Sequence, residues 1–167
     1  MLAARVVPLA GIGWSFGVIA LVVKSGLLVA PVPLQPTLDH DPVSLSVAVL
    51  EQTETFKSSA VGVAGITPND VLAWRIVFNS PDRDEIFRHI LATGSVPGQL
   101  YALAGLWFGD AKAFVAQARI VSSRGGSVRI VRGCIVSTAN VTDLVREIQN
   151  GEWTREFLVA GRPVPVR

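Results

Sequence analysis

An uncharged apolar run near the N-terminus constrains this chain more than any other feature. From Val6 to Val23 there are 18 residues without an acidic or basic side chain, and Ser15 is the only clearly polar one. As an α-helix this run would be roughly 27 Å long, close to the hydrocarbon thickness of a bilayer. A helix of this length in a soluble core normally has a polar face, and this one has none. The run therefore predicts a single transmembrane helix.

A cleavable signal peptide is the main alternative for the same residues, and a buried helix of a soluble domain is the other. Arg5 precedes the run as in a signal peptide, but the run is longer than the ~7–15 residues of a typical hydrophobic region. Pro31 directly follows the small-residue site at Ala30, which hinders processing. We therefore expect an uncleaved anchor over residues 1–29. The initiator amine and Arg5 precede the run and Lys24 follows it. This distribution of positive charge slightly favours a cytoplasmic N-terminus, with the domain on the outer or periplasmic side.

Two catalytic motifs overlap inside the run. Gly13-Trp14-Ser15-Phe16-Gly17 matches the G-x-S-x-G pattern of a serine-hydrolase elbow, and Gly11-Ile12-Gly13 followed by Gly17 resembles a dinucleotide-binding loop. An elbow needs a strand before the serine and His and Asp partners. A dinucleotide loop opens a βαβ unit with an acid about 20 residues further on. The apolar run supplies neither of these structural contexts, so hydrolase activity and dinucleotide binding are both disfavoured.

Small residues on one face of the run favour helix packing instead. Ala10, Gly13, Gly17 and Ala20 recur at intervals of three and four residues, which places them in one stripe of a helix. Such a stripe lets a second membrane helix approach closely. We expect these four residues to form a helix-packing interface. A lone lipid-facing anchor is the alternative, because glycine and alanine are common there too.

Composition divides the rest of the chain into three segments. Residues 30–43 contain four prolines and predict either a stiff extended tether or an extended strap that lies across a neighbouring surface. The segment ends with Pro42 and Val43. Residues 44–158 predict a small, mainly helical domain, and residues 159–167 an extended tail. The predicted fold class is mainly α with a short β element, in which a single N-terminal transmembrane helix precedes a small helical-hairpin domain.

Start and stop signals place the elements of this domain. Residues 44–56 fit a strand or a helix end. Four helices follow, and the last of them is capped by Asp110. The predicted starts of the other three are a Thr67 cap with Pro68 in the first turn, Ser80-Pro81, and about Pro97. Residues 127–137 then predict a strand that breaks at Gly133, and Thr138 or Asn140 caps a last helix that ends at Gly151.

The polar clusters of the sequence do not match a catalytic or metal-binding pattern. Asp39-His40-Asp41 lie in extended backbone, where neighbouring side chains point to opposite faces and share an ion poorly. Glu85 and His89 have helical i, i+4 spacing and predict a surface pair. Cys134 lies in an apolar strand and is expected to be a small buried hydrophobe. The sequence therefore predicts no catalytic residue, no metal site and no cofactor.

The balance of acidic and basic residues indicates which partners the chain can bind. The chain has 15 basic and 13 acidic residues, and two of the basic ones, Arg5 and Lys24, flank the apolar run. The remainder is neutral and lacks a basic patch, so no nucleic-acid partner is predicted. The mean hydropathy of +0.46 reflects the apolar N-terminus and apolar helices.

The combined features predict a non-catalytic, single-pass accessory or structural subunit of a larger membrane protein complex. A photosynthetic or respiratory energy-transducing complex is the kind of assembly that would suit it. Its predicted partners are the lipid bilayer and other subunits, which it would contact through the transmembrane helix and the tether. The alternative is a stand-alone exported or membrane-anchored helical binding domain.

Overall fold

The computed structural model describes residues 41–158, apart from the side chains of residues 155 and 156. The predicted anchor, nearly all of the tether and the predicted tail lie outside the described residues. Within residues 41–158 the chain is mainly helical with one small three-stranded sheet, which confirms the coarse fold class. No helix in this range is both long and apolar enough to cross a bilayer.

Six helices of nine or more residues, one single-turn helix and three strands make up the described range. In chain order they are α1 (Pro42–Gln52), β1 (Thr55–Val61), α2 (Asn69–Phe78), α3 (Arg83–Thr93), α4 (Val96–Leu106), α5 (Ala111–Arg124), β2 (Ser127–Gly133), β3 (Ile135–Asn140), α6 (Val141–Gln149) and α7 (Thr154–Phe157).

Pro42 is the first residue of α1 rather than part of an extended tether. Proline suits this position because its missing N–H would have no intrahelical partner there. The Asp41 carboxylate caps the helix by accepting the backbone N–H groups of Val43 and Ser44 at 3.3 and 3.2 Å. The strand suggested by the alternation in residues 44–49 is therefore wrong, because these residues belong to α1. The helix end suggested for residues 50–56 is correct as far as Gln52, and β1 begins at Thr55.

Two of the predicted caps are confirmed by the cap geometry, whereas the helix predicted to start at Ser80-Pro81 begins at Arg83, with Asp82 in the cap position. Asp110 accepts the N–H of Ala113 at 2.9 Å, and Asn140 accepts the N–H of Thr142 at 2.8 Å. The predicted cap of α2 is wrong by one residue, because Pro68 occupies the cap position and makes no side-chain bond there.

The sheet has the strand order β1-β2-β3, with β1 parallel to β2 and β2 antiparallel to β3. Parallel strands need a long crossover, and helices α2 to α5 supply it. Gly133 has a φ of 59°, which suits the first position of a two-residue turn in which Arg132 pairs with Ile135. The single interrupted strand predicted from the sequence is therefore a hairpin.

An aromatic core joins the sheet to the helices. The Phe56 ring of β1 lies 4.8 Å from Tyr101, 4.5 Å from Trp153 and 5.8 Å from Phe157, measured between ring centroids. Trp74 stacks on Phe78 at 4.7 Å. Both Trp74 and Trp153 are fully buried.

Candidate functional site

The helix-packing interface predicted at Ala10, Gly13, Gly17 and Ala20 lies outside the described residues. The same holds for Asp39 and His40 of the acidic cluster.

The predicted pair of Glu85 and His89 is not the one that forms. His89 Nε2 lies 3.2 Å from the Glu51 Oε1 atom, so α3 is joined to α1 instead. Thr93, one turn further along α3, also donates its hydroxyl to Glu51. Spacing along one helix could not reveal this contact, because the partner comes from a different helix. Among the described residues, no group of three or more His, Cys, Asp or Glu side chains could hold a metal ion.

Cys134 is exposed, so the prediction of a buried hydrophobe is wrong. The apolar residues around it indicated a buried strand position, whereas Gly133 turns the chain and puts Cys134 at the end of the hairpin. The glycine before the cysteine was the signal that could have indicated a turn.

A polar cluster that the sequence did not indicate lies where β1, α2 and α4 meet. The Asp70 Oδ2 atom accepts the Lys57 ammonium at 2.7 Å and the Thr53 hydroxyl at 3.1 Å. The Tyr101 hydroxyl accepts the N–H of Lys57 at 2.9 Å and donates to its C=O at 3.3 Å.

These contacts join the three elements. Burial, and secondarily the charge of Asp70, raise the pKa of the Tyr101 phenol above its usual range, so the phenol stays protonated. A network of this kind stabilises the junction between β1, α2 and α4.

The most coherent surface feature is an apolar face on α1 and α2. Leu45 and Val49 of α1 lie beside Leu72 and Ile76 of α2, and each of these four side chains is 40–50% exposed. They border a shallow groove of about 290 Å³ between the helices. We refer to these four residues as the α1–α2 face.

This face carries no charge. No residue from Pro42 to Leu50 is charged. The two charged residues of α2 are engaged elsewhere: Asp70 pairs with Lys57, and the Arg75 guanidinium donates to the C=O of Phe157 at 2.8 Å. Isolated exposed aliphatic residues are common on soluble proteins, but a grouped, uncharged set on two adjoining helices is typical of a docking site.

A second, more polar groove of about 490 Å³ lies between α5 and α6. Its apolar floor consists of Phe114, Ala118 and Val145, which are almost fully buried. Arg119 and Gln149 are among the polar residues that line it. This mixture is compatible with a small ligand that carries both apolar and polar groups.

Comparisons with protein-family models, curated proteins and solved structures find no match for this chain. The fold and the surfaces described above are therefore the basis of the functional argument.

Proposed function

We propose that this chain is a non-catalytic, single-pass membrane-anchored accessory subunit of a larger membrane protein complex, and that its α1–α2 face docks against another subunit. The observation that carries the proposal is the grouping of Leu45, Val49, Leu72 and Ile76 on two adjoining helices without a neighbouring charge. The face begins directly after the predicted tether.

The geometry of the face suits a partner helix. Leu45 and Val49 are four residues apart, and so are Leu72 and Ile76, so each helix presents a short aliphatic ridge. Between the ridges lies the groove, and a third helix can place its own ridge there. An amphipathic or apolar helix of another subunit is the partner chemistry that matches, because polar groups placed there would lose water without gaining hydrogen bonds.

Because the domain would be anchored in the membrane, a face as small as the α1–α2 face would be sufficient for docking to another subunit. A predicted transmembrane helix over residues 1–29 would confine the domain near its partner, and confinement raises the effective concentration of the second contact. The stripe of Ala10, Gly13, Gly17 and Ala20 would supply the contact inside the bilayer. The domain would lie on the outer or periplasmic side, and photosynthetic or respiratory complexes remain the proposed kind of assembly.

Co-purification of the full chain from membranes in mild detergent tests the docking. We expect the native chain to migrate with larger partners, and the variant Leu72→Ser/Ile76→Ser to be lost from them. The matched control is Val96→Ser/Ile120→Ser, which removes two similarly exposed aliphatic side chains from α4 and α5. Retention of the α1–α2 variant, or migration of the native chain as a monomeric particle, would contradict the proposal.

The predicted stripe has its own test. Changing Gly13 and Gly17 to leucine should weaken the assembly while the chain stays in the membrane, because bulk on the stripe keeps a second helix away. Unchanged co-purification would exclude packing at this stripe. Loss of cellular function in Ser15→Ala with the assembly intact would favour the hydrolase interpretation again.

The α5–α6 groove supports a second candidate, a stand-alone exported or anchored helical binding domain. Such a protein would behave as a monomer in detergent and would bind a small amphipathic molecule. Ala118→Trp should fill the groove and abolish that binding, because Ala118 lies on its floor. A monomeric particle whose ligand binding survives this change would exclude the groove as the site.

A further inference from the structure

Two turns adjoin at one end of the sheet. The first follows β1: residues 62–65 reverse the chain, and Ile66 pairs back to Val61 through hydrogen bonds of 2.9 and 3.0 Å. The second is the Gly133-Cys134 turn of the β2–β3 hairpin. The N–H of Gly62 donates to the C=O of Gly133 at 3.0 Å and joins the two turns. We call residues 62–66 and 133–136 the sheet tip.

The sheet tip holds the four most exposed large apolar side chains of the described residues. Val63 is 99% exposed, Ile135 70%, Ile66 66% and Val136 54%. Leaving such side chains in water is unfavourable, and their grouping on two adjoining turns is typical of an interaction site.

Charge is absent from the tip and present just behind it. Residues 58–69 and 133–142 contain no acidic or basic side chain. The nearest cations are Arg132, whose guanidinium lies over the Trp153 ring at 4.3 Å, and Lys57, whose ammonium pairs with Asp70. The acid that faces Arg132 is Glu147, which it meets at 3.4 Å.

We propose that the sheet tip inserts into the surface of a lipid bilayer, with Val63, Ile66 and Ile135 as the inserted side chains. The proposal rests on the proposed function, because the predicted anchor keeps the domain at a membrane. The shape of the tip favours lipid over a protein partner. Its aliphatic side chains project singly from two turns, and lipid chains accommodate such projections without a matching cavity.

The depth of insertion is limited by the backbone. Turn residues leave N–H and C=O groups without partners, and these groups need water or headgroups. Insertion is therefore shallow, at the boundary between headgroups and acyl chains. At that depth Arg132, which directly precedes the Gly133-Cys134 turn, lies near the lipid phosphates, where a cation is favourable.

The lone cysteine provides a direct probe, because Cys134 is exposed and belongs to the tip. The full chain is reconstituted in vesicles of phosphatidylcholine and phosphatidylglycerol, with an environment-sensitive fluorophore on Cys134. We expect blue-shifted emission that is quenched by nitroxide-labelled lipids. The matched control is Cys134→Ser/Ser127→Cys. Ser127 is the exposed first residue of β2, roughly 20 Å from the turn at the usual rise per strand residue, so its label should stay in water.

Variants of the tip make the test specific. In Val63→Asp/Ile135→Asp the fraction of Cys134 label that is immersed in lipid should fall at least roughly tenfold. The reason is that each inserted aliphatic side chain raises the equilibrium constant for transfer from water to lipid by about tenfold. The variant should still float with the vesicles through its anchor. Leu72→Asp/Ile76→Asp, on the α1–α2 face, should leave the label spectrum unchanged.

The outcomes separate this inference from the proposed function. A Cys134 label that stays in water while the native chain floats with vesicles would overturn the tip insertion and leave the anchor intact. Blue-shifted emission without quenching by lipid nitroxides would also overturn it, and would place the tip against protein. If the native chain does not float, both the anchor and the tip insertion are wrong.

Discussion

Lys57 of β1 and Asp70 in the first turn of α2 form an ion pair with an Nζ–Oδ2 distance of 2.7 Å. Twelve residues without charge separate them in the chain, and they form the connection that includes the first turn of the sheet tip. The pair, with the Thr53 hydroxyl on the same carboxylate oxygen, holds the start of α2 against the strand. The orientation of the α1–α2 face therefore depends on a contact made on the other side of α2.

Replacing Asp70 with asparagine should lower the free energy of unfolding by about 1–3 kcal/mol, because a partly buried ammonium would lose its counter-charge. Urea denaturation of the native and variant proteins measures this difference. Glu152→Gln, at an exposed acid, should change it by less than about 0.5 kcal/mol. Equal effects of the two changes would show that the Lys57–Asp70 pair contributes no more than an ordinary surface charge.

Tyr101→Phe should lower the free energy of unfolding by about 1–3 kcal/mol, because Lys57 would lose the partner of both its backbone N–H and its C=O. Both groups belong to β1, so the variant should also exchange the Lys57 amide hydrogen faster than the native protein. Hydrogen exchange followed by mass spectrometry measures this. Unchanged exchange would mean that the hydroxyl does not hold the strand.

The same tyrosine predicts a pH dependence. Burial raises the pKa of Tyr101 in the folded state above the value of about 10 expected in the unfolded chain. Its contribution to stability is therefore complete below pH about 10 and falls as pH rises beyond that, because the unfolded chain releases the proton first. Since Tyr101 is the only tyrosine, tyrosinate absorbance reports on it alone. A native protein that ionises at the pH expected for free tyrosine would contradict the prediction.

Gly105→Ala should destabilise the fold by about 1–3 kcal/mol, because an added Cβ in α4 would overlap the ring of Phe87 in α3. Combining it with Phe87→Leu should cost less than the sum of the two single changes, since the smaller side chain makes room for the methyl group. Thermal unfolding of the four proteins measures the coupling. Strictly additive costs would mean that α3 and α4 adjust without strain.

Cys134 should react completely with a maleimide in the native protein, without denaturant, because its turn position leaves the thiol in contact with solvent. Cys134→Ser should change the free energy of unfolding by less than about 0.5 kcal/mol. This experiment is made in detergent, where the bilayer does not compete with the reagent. A thiol that reacts only after unfolding would indicate a buried cysteine, as the strand pattern first suggested.

Local signals were sufficient where a residue acts on its own backbone neighbours. Asp110 and Asn140 cap their helices as predicted, since a cap depends on amides two or three residues away. Pro42 shows the limit of this reasoning. Proline is compatible both with an extended tether and with the first position of a helix, and the Asp41 cap together with the packing of α1 selects the helix.

Contacts between distant parts of the chain were not predictable from spacing. The sequence by itself determined a mainly helical chain with a short β element, the caps at Asp110 and Asn140, and an apolar N-terminal run long enough for a membrane span. Only the tertiary structure decided that His89 pairs with Glu51, that Lys57 pairs with Asp70, and that Cys134 is exposed beside a second apolar turn. The physical reason is that periodicity and caps act within a few residues, whereas ion pairs and exposed surfaces depend on which elements the fold brings together.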